Sequence, residues 1–291
     1  MDILTNYTFQ IVALGSVLLA VAAAPVGAFS VYKGQSLIGD AIGHSTFPGI
    51  ILAYMAFATR SPVILLAGAI LAGAASYALI QLAHRYKRLG LDANLAIFLS
   101  GFFGLGMALK SFIQGNPDYA GASQEGLGTY IFGQAAYMLE ADVLLIAAIS
   151  ALVLTLLLLF YKELKLFVFD AEYAEVVGLP CRLLNLLLLV MTIAVIGIGI
   201  KAVGAILISS FLIIPCVAAN QWSNNFARVL LLSSLIGAVS ALVGTYISTL
   251  EQGMSTGPSI ILVASLIAFF SIVFGTKGIL GSVLKRRRTH G

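Results

Sequence analysis

Charge is what this sequence has least of. Asp, Glu, Lys and Arg make up only 10% of its 291 residues, against about 25% in an ordinary soluble domain, while 60% are hydrophobic and the mean hydropathy is +1.04. Too few charged side chains remain to solvate a globular surface, so a soluble protein is excluded. A membrane helix needs about 20 apolar residues, and backbone groups in lipid must be satisfied within helices, so one membrane domain over residues 1–291 is expected, all-α and polytopic. Cysteine is also scarce. Cys181 and Cys216 form no disulfide framework and have no paired metal-ligand spacing, so they read as packing residues. No basic stretch precedes the first apolar run after Met1-Asp2, which therefore reads as a retained helix and not a cleaved signal.

Several catalytic patterns are missing too. No G-x-x-x-x-G-K-[ST] phosphate loop, H-E-x-x-H or G-x-S-x-G occurs, which removes the common ATPase, metalloprotease and serine-hydrolase readings. If nucleotide drives this protein, a separate chain hydrolyses it, and the chain itself is expected not to be an enzyme.

What is present is apolar runs, near 8–32, 38–58, 62–83, 92–113, 141–161, 184–201, 203–219, 229–249 and 258–275. Eight or nine spans are predicted, the uncertain pair being 184–201 and 203–219, divided only by Lys201 and Gly204. With the amino terminus outside, only Arg60, Lys110 and Lys201 of the sixteen Lys and Arg residues fall on the outer side, as the positive-inside rule requires. The basic tail Lys285–Arg288 is then cytoplasmic, where it binds anionic lipid and not nucleic acid. The long outer connection Gln114–Glu140 carries Asp118, Glu125 and Glu140 and is suited to lining a way in.

Two stretches carry candidate chemistry. In Gly39-Asp40-Ala41-Ile42-Gly43-His44 an acid and an imidazole stand four residues apart, on one face of a helix. Ionisable groups inside a membrane segment are costly and mark functional sites. A carboxylate with an imidazole suits Mn, Fe(II) or Zn, but two donors hold such an ion only if a second chain supplies two more about a twofold-like axis. The same pair also fits a proton relay or a helix–helix hydrogen bond. The second stretch, Phe169-Asp170-Ala171-Glu172-Tyr173-Ala174-Glu175-Val176-Val177-Gly178-Leu179-Pro180, has acids in its first turns and is stopped by Gly178 and Pro180, which predicts a short amphipathic cytoplasmic helix.

The order of five pieces along the chain resembles the ABC-3 family of metal-ion permeases: Gly39–His44 with Pro48-Gly49, Tyr130-Ile131-Phe132-Gly133-Gln134, Phe169–Pro180, Val203–Leu207 with Ile213-Ile214-Pro215, and Gly257-Pro258-Ser259-Ile260. The resemblance implies a permease subunit of an ATP-binding-cassette importer in the bacterial inner membrane, its carboxyl terminus cytoplasmic. It implies a second permease chain, two cytoplasmic ATP-binding subunits and an extracytoplasmic metal-binding protein as partners. The transported divalent ion would be cargo, with no resident cofactor. Asp40 and His44 match the family's metal-gating acid and histidine. Phe169, Asp170, Glu172, Glu175 and Gly178 match its ATPase-coupling element. Pro48-Gly49 is closer to the manganese and iron branch than to the zinc branch, while Gly43 stands where many relatives carry serine. A proton-coupled metal carrier and an intramembrane enzyme using Asp40 and His44 as base and acid are the alternative readings.

Overall fold

Apolar side chains drive these segments into lipid, and the peptide groups they carry can then be satisfied only inside helices. The computed structural model describes residues 6–58, 61–86, 90–116, 138–250 and 254–280. The stretch 130–134, the middle of the outer connection and the basic tail lie outside them. The helices among the described residues are α1 Tyr7–Tyr32, α2 Ile38–Phe57, α3 Pro62–Arg85, α4 Leu91–Gly115, α5 Glu140–Leu159, α6 Tyr161–Phe169, α7 Ala171–Val176, α8 Cys181–Val203, α9 Ala205–Asn220, α10 Phe226–Leu250 and α11 Thr256–Phe274, with no strand.

Seven of these helices, α1, α3, α4, α5, α8, α10 and α11, are long and apolar enough to cross a membrane. The expectation of eight or nine spans is corrected accordingly, and two helices account for the difference. α2 has the length, but Asp40, His44, Ser45, Thr46 and Pro48 lower its hydropathy; α9 has only 16 residues. Both are deep in the bundle all the same. α2 lies against α3, α4 and α9, and α9 against α1, α2, α10 and α11. The chain is a multi-pass membrane protein in which α2, long enough to span but not apolar enough, is held by its neighbours.

α1 is the helix around which the others collect, packing on α5, α8, α9 and α10. Pro25 interrupts its hydrogen-bond ladder and leaves the Val21 carbonyl without its usual donor. Ser234 of α10 donates to that carbonyl at 3.2 Å, so the break is repaired from a neighbouring helix.

Contacts between helix termini define the two ends of the bundle. At one, Tyr7 donates to Glu140, Phe9 packs edge-on against Tyr246, and Ser248 meets Thr256. At the other, the end of α1 meets the starts of α8 and α10 and the end of α9. The segment after α11 closes over this second end, where Lys277 Nζ donates to the Ser223 carbonyl at 2.8 Å and Thr276 Oγ1 to that of Gln221 at 3.1 Å. Helices α6 and α7 lie there as well, beside the end of α1.

Candidate functional site

Asp40 and His44 lie one turn apart on α2, both half-buried. Close backbone approaches position that helix. Cβ atoms added to Gly49 or Gly68 would run into the partner glycine's carbonyl across the α2–α3 crossing. Gly106 of α4 leaves room for Phe47 and Pro48, and Gly39 for Leu212 of α9. Small residues at such crossings let helices pack on dispersion alone, which is what membrane packing relies on.

The surroundings of the pair are ordered. The Phe103 ring of α4 packs edge-on against the His44 imidazole, with centroids 5.0 Å apart, and touches Phe47 as well. On the opposite side of α2, Ser45 Oγ donates to Ser76 Oγ of α3 at 2.7 Å. Pro48 supplies no amide hydrogen to the His44 carbonyl one turn below it, so the ladder is open at the level of the site. Among the described residues no group of three His, Cys, Asp or Glu side chains comes together. On α2 the described residues thus present two metal-type donors, Asp40 and His44. Ile38 and Ile42 of the same helix are 6% and 0% exposed, and Ile42 packs against Gly73 of α3. The α2 face carrying them belongs to the interior of the chain, because it is the side turned away from Asp40 and His44.

The second predicted stretch forms as the sequence indicated. Asp170 caps α7, its Oδ1 accepting the Tyr173 amide hydrogen at 2.9 Å. The helix ends at Gly178, where φ is +87°, a region open to glycine at no steric cost, and the Leu179 amide returns to the Ala174 carbonyl at 2.9 Å. Ala174 is buried, but Val176 is 83% exposed, Tyr173 56% and Phe169 54%. Glu172 and Glu175 are exposed beside them. An acidic rim around exposed apolar side chains is a composition suited to a protein contact.

One residue that sequence reasoning left in the charge map sits at the end of α1, against the helix that leads into the second stretch. Lys33 caps α1, its Nζ donating to Asn185 Oδ1 of α8 and lying 4.6 Å from the centre of the Phe167 ring of α6. Burial pushes its ammonium down to about 8, with no carboxylate among the described residues opposing the effect. The signal available in the sequence was Tyr32-Lys33-Gly34, a cation at the end of an apolar helix and before a turn glycine.

The model of the ABC 3 transport family matches residues 5–275. The chain belongs to that family. It is 39% identical to the zinc transport system membrane protein TroC of Treponema pallidum (strain Nichols), over 99% of this chain and 96% of that one. It is also 39% identical to the manganese transport system membrane protein MntC of Bacillus subtilis (strain 168), over 96% of this chain and 65% of the relative. Among solved structures, PsaBC from Streptococcus pneumoniae in complex with Fab superposes with a TM-score of 0.81 at 26% identity, covering 94% of each chain.

Proposed function

We propose that this chain is the permease subunit of an ATP-binding-cassette importer that carries a divalent transition-metal ion into a bacterial cytoplasm, manganese first, with iron and zinc as competitors. The observation that carries the reading is the Asp40–His44 pair on α2, a deeply packed helix of spanning length that falls short of a span's apolarity, in a family member; that is a costly placement for any purely structural role. Two relatives at equal identity are named for zinc and for manganese; carboxylate with imidazole suits all three metals, and the order given rests on the resemblance of Pro48-Gly49 to the manganese and iron branch of the family.

In this reading two permease chains, identical or paralogous, meet so that Asp40 and His44 from each make a four-donor gate. The amino terminus is outside, and α6 and α7 face the cytoplasm. There Phe169, Asp170, Glu172, Glu175 and Gly178 form the docking element for an ATP-binding subunit. A metal-binding protein delivers the ion from the other side. The exposed apolar residues of α7 within an acidic rim support the docking role.

The test is uptake by vesicles holding the permease with its ATPase and binding protein, with manganese, iron and zinc in competition. ATP-dependent uptake that manganese competes for best is expected. Uptake that follows a proton gradient without ATP would replace the reading with that of a proton-coupled carrier.

A further inference from the structure

The α7 end of the bundle holds one interaction that neither the metal pair nor the docking surface explains. Phe169, the residue leading into α7, packs against Tyr32 of α1 at 5.4 Å and Phe226 of α10 at 5.2 Å between ring centres. Phe167, two residues earlier, lies under Lys33. Lys33 is followed by Gly34 at φ +72°, in a turn where the Gly34 amide donates to the Val31 carbonyl and that of Gln35 to Ser30. Six residues after Gly34 comes Asp40. The end of α1 is therefore in contact with the segment leading into α7 and joined by one short turn to the helix carrying the metal pair.

We propose that Lys33 is the positioning residue that couples α6–α7 to α2, holding the turn between α1 and α2 in register with the docking element. This rests on the permease reading above and adds a route for the coupling. The bonds around Lys33 are polar and continuous. Nζ donates to Asn185 Oδ1, Asn185 Nδ2 donates to the Tyr77 hydroxyl at 2.8 Å, and Gln81 Nε2 donates to the same hydroxyl at 2.6 Å. One ammonium thus joins the end of α1 to α8, to α3 and, through the Phe167 face, to α6. A small cavity lies against this chain, lined in part by Gln35, Ile38, Ile42, Tyr77 and Asn185, with space for about one water.

Burial opposes the charge on Lys33, and among the described residues no acid offsets that burial. A cation kept at that cost contributes less to stability than an apolar side chain of equal length would. Its retention is accounted for by a role in transmission: movement of α6 carries the Phe167 ring, and Lys33 follows it with the α1–α2 turn.

The experiment uses the assembled complex, with Lys33→Met to remove charge and donor at similar length and Asn185→Leu to remove the acceptor. Amide exchange is followed with and without ATP across residues 34–45 and 169–178, alongside ion uptake per ATP hydrolysed. In wild type, ATP is expected to change exchange in both segments. In Lys33→Met the response of 169–178 persists, that of 34–45 is lost, basal hydrolysis is unchanged and uptake per ATP falls about 10-fold; Asn185→Leu gives the same pattern. An equal response of 34–45 and equal uptake per ATP in Lys33→Met overturn the inference. If Lys33→Met fails to assemble, Asn185→Leu decides: uncoupling supports the role and wild-type coupling overturns it. If ATP changes neither segment in wild type, the permease reading itself falls, and this coupling role with it.

Discussion

If Asp40 and His44 are the proposed ligands, they differ from a helix-packing pair in what their removal costs. A packing pair is lost with stability; a ligand pair is lost with cargo. Asp40→Ala and His44→Ala are therefore expected to lower uptake by about 100-fold each, the loss of one donor from a small set, while insertion and ATPase assembly persist. Uptake near the wild-type rate in either variant would remove the pair from the pathway. Lys33 gives a second prediction at this scale, with a definite sign. Its pKa is about 8 folded and 10.5 unfolded, so between those values the unfolded chain holds more protons. Stability is then expected to rise with pH across the window from about 8 to 10.5 and to level off above it, and Lys33→Met should remove that part of the slope. Thermal unfolding of the two proteins in detergent at pH 7.5 and 9.5 measures it, and parallel slopes would refute it.

At the scale of elements, α7 is where sequence and structure agree most closely. Asp170 at its start and Gly178 at its stop are local determinants, and local determinants are visible in one sequence. Gly178→Pro should be disruptive on two counts: proline fixes φ near −65° where the chain needs +87°, and it deletes the amide that donates to the Glu175 carbonyl at 3.0 Å. Glu175→Arg reverses a charge on the exposed rim. Both are expected to uncouple metal-stimulated ATP hydrolysis from transport with metal binding unaltered; unchanged stimulation in both would return α7 to an ordinary interfacial helix. α2 was legible in its residues and not in its surroundings. The spacing of Asp40 and His44 placed them on one face, but only packing shows Phe103 against the imidazole and Ile42 turned inward onto Gly73. Which side of a helix meets its own chain is decided by residues distant in sequence, and Lys33 escaped notice for the same reason: its partners, Phe167 and Asn185, are more than 130 positions away. The span count failed because α2 carries Asp40, His44, Ser45, Thr46 and Pro48 among its apolar residues and α9 is short, while both are sheltered by other helices instead of lipid.

For the whole molecule the decisive quantity is the number of ions held per chain. A transition-metal ion of the proposed class takes about four donors in a closed site, and one chain presents Asp40 and His44 with no third His, Cys, Asp or Glu gathered beside them among the described residues. A chain acting alone would leave such an ion half-coordinated in a medium that does not solvate it. If two chains share the gate, the purified permease pair should hold one manganese per two chains, and Asp40→Ala in one of two tagged copies should weaken binding for the pair as a unit. Equilibrium dialysis with metal analysis reads the ratio directly. One ion per chain at saturation would mean that each chain completes its own site, and the shared gate would be wrong even if transport itself were confirmed. Chain-to-chain crosslinks offer an independent check, and Ile42 should give none, because its side chain is enclosed by its own bundle; a strong crosslink there would show that the pair assembles by opening the α2–α3 packing, not by meeting across the Asp40–His44 face.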